Sequence, residues 1–233
     1  MPQQSEKTFG EKYTKGRNLA AYLSLIPSYQ PGVSNLLPAN INALLDSIST
    51  ANSNTASKLS VLQTVRAERK ELFHGDAGLI KRCSQIRDFV ASLPEGKKAG
   101  DFKRLQKIVQ DIRGAKVKRK KAGTDSSPKT KSTSERTFAS MLRYAKDALE
   151  IVKTNPSYTP GNVNITIADF TLFLDSVDAK NAEVAEKYVA YSRAVNERKD
   201  FYDTLADIVR KVKSALASQY GKQSNEYKDA VKF

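Results

Sequence analysis

The chain repeats itself, and that repeat limits the fold to something that can be built twice. Shifted by 129 residues, Ser5-Glu6-Lys7-Thr8-Phe9 faces Ser134-Glu135-Arg136-Thr137-Phe138, and Pro27-Ser28-Tyr29-Gln30-Pro31-Gly32 faces Pro156-Ser157-Tyr158-Thr159-Pro160-Gly161. Leu45-Asp46-Ser47 meets Leu174-Asp175-Ser176, and Glu68-Arg69-Lys70 meets Glu197-Arg198-Lys199. Residues 5 to 73 align without a gap and share 20 identities in 69 positions, well above chance, so a tandem duplication is expected. The repeat also serves as an internal control: a residue found in one copy only is a weaker candidate for a function that both copies share.

Periodicity predicts an all-α fold. A helix opens each copy, near 5–26 and 134–154, the second marked by Phe138, Leu142, Ala145, Leu149 and Val152. The Pro-Ser-Tyr-x-Pro-Gly segment ends it, because proline lacks an N–H and Pro-Gly favours a turn. A long helix should follow, capped in the second copy by Thr166 with Asp169 reaching back. Its seam runs Ile167, Phe170, Leu174, Val177, Asn181, Val184, Tyr188, Tyr191, Val195, Arg198, Tyr202, alternating steps of three and four. That is a coiled-coil heptad pattern over about five heptads, and a helix of that length spans about 50 Å. The first copy follows with Ile41, Leu45, Ile48, Asn52, Thr55, Leu59, Leu62, Arg66, Arg69 and Phe73. Asn52 and Asn181 share one seam position, where a buried Asn can fix register. A third helix is marked by Leu79, Ile80, Cys83, Ile86 and Val90 in one copy, and by Leu205, Ile208, Val209, Val212 and Leu216 in the other. Gly75 breaks the chain before the first of these. The second lacks such a glycine, so its long and third helices are expected to join with only a tight bend.

The expected architecture is therefore two tandem copies of a three-helix unit, bundle-like, each with one long heptad-patterned helix. Residues 1–113 form the first unit with an additional basic helix near 101–113. Residues 114–133, rich in Gly, Ser, Thr, Pro and Lys, form a flexible basic connector, and 134–233 form the second unit. The two units are expected to pack as a pseudo-two-fold pair. At 233 residues and 39% hydrophobic, the chain can bury two modest cores. The single cysteine excludes an intramolecular disulfide. No secretory leader is visible, and no stretch approaches the roughly 18 apolar residues of a spanning helix, so the expected location is cytoplasmic.

Catalytic and metal chemistry find little support. His74 is the only histidine and faces Asp203 in the other copy, without the partners a metal site needs. Cys83 falls on an apolar stripe and aligns with Val212, which predicts a core residue rather than a nucleophile. Asp46 and Asp175 sit beside seam leucines at the helix flank. No Glu-x-x-His pair and no glycine-rich phosphate loop occurs. The sequon Asn164-Ile165-Thr166 matters only in a secreted protein. Arg198 falls on the seam, where it is expected to meet a carboxylate or to lay its stem over the core end. No catalytic residue and no cofactor is assigned, and the chain is expected not to be an enzyme.

Charge gives the best functional clue. The formal net charge is +14, and the segment Lys97–Lys121 alone carries +9 of it. Lys103 and Lys107, with Arg104 and Arg113, can line a helix side opposite Leu105, Ile108 and Ile112. The chain then enters Lys116, Lys118, Arg119, Lys120 and Lys121. This combination can neutralise several phosphates without reading bases, and it equally describes a solvated linker. No aromatic residue follows Phe102 in the segment, so stacking on single strands is not indicated.

The tail Tyr220-Gly221-Lys222-Gln223-Ser224-Asn225-Glu226-Tyr227-Lys228, with the Glu-Arg-Lys helix end, resembles that of uncharacterised bacterial all-helical proteins. The resemblance covers about the last 70 residues. It implies a bacterial, all-helical protein and transfers no activity and no functional residue. Two functions are thus expected. The first is binding of an anionic polymer such as nucleic acid through Lys103, Lys107, Lys116, Lys118, Arg119, Lys120 and Lys121. The alternative is a scaffold whose seams engage a protein partner or a second copy.

Overall fold

Apolar residues at three- and four-residue spacing produce helices throughout. The computed structural model describes residues 6–113 and 137–233, and every regular element among them is helical. The α-helices are α1 (Glu6–Ser24), α2 (Pro38–His74), α3 (Leu79–Ser92), α4 (Gly100–Arg113), α5 (Phe138–Lys153), α6 (Ile167–Tyr220) and α7 (Asn225–Val231). Short 3-10 turns at Ser34–Leu36, Gly96–Lys98 and Val163–Ile165 precede α2, α4 and α6. No helix among the described residues is long and apolar enough to cross a membrane. The expected connector, 114–133, lies outside the described residues.

The described residues fall into two compact units. One draws on Met1–Leu62 and Lys187–Phe233, the other on Gln63–Glu186. The first unit therefore joins residues from both ends of the chain, and the second takes its middle.

In the first unit, Phe9, Leu19 and Leu23 of α1 pack with Ile41, Leu45 and Ile48 of α2. Tyr202, Leu205, Val212 and Leu216 of α6 and Ala230 of α7 complete that core. Gly16 lets α1 approach α6 closely, since a Cβ there would stand 3.0 Å from the Leu205 methyls. In the second unit, Phe73 of α2 joins Leu79, Cys83, Ile86 and Val90 of α3. Around them lie Leu105, Val109 and Ile112 of α4, Met141, Ala145 and Leu149 of α5, and Phe170, Leu174 and Val177 of α6. Each Val, Leu, Ile, Met or Phe among them contributes about 1.5–3 kcal/mol on burial.

The turns follow the expected chemistry. The Tyr29 hydroxyl donates to the Leu36 carbonyl at 3.4 Å, and 129 residues later the Tyr158 hydroxyl donates to the Ile165 carbonyl at 2.6 Å. Burial pushes the Tyr29 hydroxyl up to about 12 and raises that of Tyr158 as well. At the start of α6, Thr166 Oγ1 accepts from the Asp169 N–H at 3.2 Å and donates to Asp169 Oδ2 at 2.6 Å. The carboxylate does not reach back to the Thr166 N–H, because that group already donates to the Val163 carbonyl at 3.1 Å.

Two expectations about the long helices need correction. First, α6 is not interrupted: it runs as one helix for 54 residues, about 80 Å. After α2 the break is one that glycines permit. A Cβ on Gly75 would collide with Glu71, and one on Gly78 would press on the backbone of Leu72 and Gly75 at 3.0 Å. The aligned residues Thr204 and Asp207 carry side chains, and the helix continues through them. Second, burial leaves the expected seam at the same aligned position in both copies. Val65 and Ala194 are buried, whereas Arg66 is exposed and Val195 is half-buried. Thr55 Oγ1 donates to the Ala194 carbonyl at 3.2 Å, so α2 and α6 touch backbone to side chain there and a small residue faces the contact. At position 66, desolvating a guanidinium would be costly, and Val65 takes the buried place. Tyr188, also on the expected seam, is 53% exposed.

Candidate functional site

Helix α4 is strongly two-faced. Phe102, Leu105, Ile108, Val109 and Ile112 are buried, and the helix packs on α3 and α5. Lys103, Arg104 and Lys107 are all exposed on the opposite side. Among the described residues, Lys103 and Lys107 have no carboxylate partner, and Arg104 stands 4.0 Å from Asp101. Lys97 and Lys98, in the preceding 3-10 turn, are exposed as well. Arg113 departs from the expected basic side: its Nη2 donates to Ser84 Oγ on α3 at 2.6 Å. Lys116, Lys118, Arg119, Lys120 and Lys121 lie outside the described residues.

The other candidates occupy ordinary structural positions. Cys83 is buried, and burial pushes its thiol up to about 12, the opposite of what a nucleophile needs. His74 is exposed at the end of α2, with its ring 6.3 Å from that of Phe138. Asp46 and Asp175 are exposed. No group of three or more His, Cys, Asp or Glu that could hold a metal occurs among the described residues.

Folding creates a constellation that sequence reasoning missed, and creates it once in each unit. In the first unit, the Arg198 guanidinium carbon lies 4.7 Å from the Phe9 ring centre, and the Phe9 ring packs tilted against Tyr202 with centres 4.6 Å apart. Asn52 Nδ2 donates to the Tyr202 hydroxyl at 3.1 Å. In the second, Arg69 lies 4.1 Å over Phe138, which meets Phe73 edge-on at 4.7 Å. Arg69 aligns with Arg198, Phe138 with Phe9, Phe73 with Tyr202 and Asn181 with Asn52. Phe73 has no hydroxyl, and Asn181 Oδ1 is buried without a hydrogen-bond partner. The Arg69 Nε is likewise buried without a partner. Desolvation, and then the neighbouring charge of Arg66, lower the Arg69 pKa.

Each constellation borders a cavity. That of the first unit measures about 460 Å³ and is lined by Phe9, Tyr13, Asn52, Leu59, Arg198 and Tyr202 among others. That of the second measures about 500 Å³ and is lined by Arg69, Phe138, Leu142, Arg143, Lys146 and Asn181 among others. The signal that could have found both was the identity of Phe, Asn and Arg at aligned positions of the two copies.

Compared with protein families, with curated proteins and with solved structures, the chain finds no match.

Proposed function

We propose that this chain is a non-enzymatic protein that binds an anionic polymer, nucleic acid in the first place, through the exposed face of α4 and the basic residues that follow it. The observation that carries the proposal is the placement of Lys103, Arg104 and Lys107 on one solvent-facing side, with Lys103 and Lys107 unpaired by carboxylates among the described residues. Unpaired cations are already available to phosphates and release counterions on binding. The helix beneath them is anchored by five buried apolar residues, so the cations sit on a firm base. Lys116, Lys118, Arg119, Lys120 and Lys121 would extend the contact along the polymer.

The test is binding to a fluorescent duplex across a salt series, with the intact chain and two variants. One carries Lys103→Gln, Arg104→Gln and Lys107→Gln. The other replaces Lys116, Lys118, Arg119, Lys120 and Lys121 by Gln. Binding should weaken steeply with salt, and losing three phosphate contacts should flatten the log–log slope by about 2.7. Absence of binding at low salt, or binding by both variants as tight as that of the intact chain, would overturn the proposal.

The chain is further read as a duplicated three-helix unit, a reading supported by the recurring Tyr29–Leu36 and Tyr158–Ile165 bonds. A second function, assembly through the helix seam, is favoured by Tyr188 and Val189, which are 53% and 48% exposed. Sedimentation of the wild type and of a Tyr188→Glu, Val189→Glu variant decides it: a complex that disappears in the variant supports assembly, and a monomer throughout removes it.

A further inference from the structure

The two cavities are lined by aligned residues, and each has an arginine whose Nε is buried without a hydrogen-bond partner, but the second also leaves a buried amide oxygen without one. In the second unit Arg69 makes no hydrogen bond and meets no carboxylate among the described residues. Its guanidinium carbon lies 4.1 Å over the Phe138 ring. Asn181, on the same cavity, has a buried Oδ1 with no partner. Buried polar groups of folded proteins are almost always satisfied, so two on one cavity wall point to an occupant that satisfies them.

The charges select the kind of occupant. Arg143 and Lys146 line the cavity and are exposed at its edge. Asp178 lines it too, but is engaged by Lys146 Nζ at 2.8 Å, and Asp147 is exposed to water. Arg69 is the cation held inward, and Phe138 and Leu142 give the cavity apolar wall. A guanidinium edge favours a planar or tetrahedral oxyanion, which can accept two parallel N–H bonds. The Asn181 amide can turn either its oxygen or its NH2 group to the same molecule.

We propose that the cavity of the second unit is a binding site for a small organic oxyanion, a carboxylate or a phosphate attached to a compact apolar group. Arg69 holds the anionic oxygens, Asn181 makes the second polar contact, and Phe138 and Leu142 receive the apolar part. The cavity of the first unit is not such a site, because Tyr202 already occupies its Asn. The site is separate from the α4 face and does not depend on polymer binding.

The experiment follows the arginine Nε–H resonances of the intact chain by NMR during titration with benzoate, phenyl phosphate and phenol, up to about 10 mM, where millimolar affinities are resolved. The Arg69 resonance should move saturably with at least one of the two anions, and which one identifies the group. Phenol should leave it in place, and the Arg198 resonance should stay in place throughout. Phe73→Tyr gives Asn181 the hydroxyl that Asn52 has, and should weaken binding about fivefold or more. A urea midpoint no lower than that of the wild type shows that the variant keeps its fold. The proposal is overturned if neither anion moves Arg69, if phenol moves it equally, if Arg198 responds with the same affinity, or if Phe73→Tyr binds as the wild type does.

Discussion

In the first unit the Tyr202 hydroxyl takes the amide of Asn52, while in the second Phe73 stands at the aligned position and Asn181 keeps a buried oxygen without a partner. The rest of the constellation is shared, with an arginine over a phenylalanine and a second ring against that phenylalanine. Both networks leave an arginine Nε buried without a hydrogen-bond partner, and the second leaves the Asn181 amide oxygen so as well. An unsatisfied buried polar group costs about 1–3 kcal/mol, which a purely structural network would have reason to avoid. The two units also differ in depth: Phe9 is 7% exposed and Arg198 8% exposed, whereas Phe138 and Arg69 are only half-buried. Thus the first unit uses the constellation as core, and the second leaves it partly open to solvent.

The largest effect that could break this comparison comes from truncating the shared ring. Phe9→Ala removes a buried ring and exposes Arg198 to a void, and should cost about 3–4 kcal/mol in urea unfolding. Phe138→Ala acts where the ring is already half in water, and should cost about 2 kcal/mol. Equal losses would mean that the two constellations carry the same structural weight, and the contrast between core and open site would fall.

Exchange of the single hydroxyl sharpens the comparison further. Tyr202→Phe leaves Asn52 without its partner and should destabilise by about 1.5 kcal/mol. Phe73→Tyr supplies the missing partner and should stabilise by up to about 1 kcal/mol. A double-mutant cycle of Tyr202→Phe with Asn52→Ala separates the bond from the packing of the ring. Coupling near zero would show that the Asn52–Tyr202 contact contributes nothing to stability.

How much of this was legible beforehand depends on whether the residues concerned are local in sequence. The faces of α4 were legible, because Lys103 and Lys107 against Leu105, Ile108 and Ile112 is a one-helix pattern. So were the buried state of Cys83 and the cap at Thr166. Arg69, Phe138 and Asn181 are far apart in the chain, and only the pairing of α2, α5 and α6 brings them to one cavity. Their identity in both copies was visible, but each alone had an ordinary local explanation: a helix-end cation, a core ring, a register Asn. The preference for Val65 and Ala194 over Arg66 and Val195 was also hidden, because it depends on how closely α2 and α6 approach, as Thr55 on Ala194 shows. A compact unit drawn from residues 1–62 and 187–233 was invisible for a plainer reason: likeness between segments does not say which segments pack together.

Alkaline pH should distinguish the units by a subtler route. Cys83 in the second unit is buried as a neutral thiol and pushed up from 9.0 to about 12, while the aligned residue in the first unit is Val212. Below pH 9 folded and unfolded chains both hold the proton, so the stabilising contribution is complete. Between 9 and 12 the unfolded chain loses it first, and stability falls as pH rises. Cys83→Val matches the other copy and removes this titration. Its urea midpoint should track that of the wild type at pH 7–8 and decline less steeply above pH 9. Parallel decline of the two proteins would show that Cys83 is not the group responsible.

The smallest difference lies at the starts of the long helices. Thr166 caps α6 through the Asp169 N–H, while at the aligned position α2 has Leu37, 38% exposed, followed by Pro38 as its first residue. Proline at that place has the right φ and no N–H to satisfy, so α2 starts well without a side-chain cap. Its Asn40 N–H already donates to the Leu37 carbonyl at 3.0 Å. Thr166→Ala should therefore cost about 0.7 kcal/mol, within the ordinary range for losing a threonine cap. Leu37→Thr should gain no more than about 0.3 kcal/mol, since the donor that a new hydroxyl would serve is engaged. Both are read from thermal unfolding, with shifts of about 1–3 °C for a chain of this size. A gain from Leu37→Thr as large as the loss from Thr166→Ala would mean that proline does not replace the cap, and that the two copies start their long helices with unequal stability.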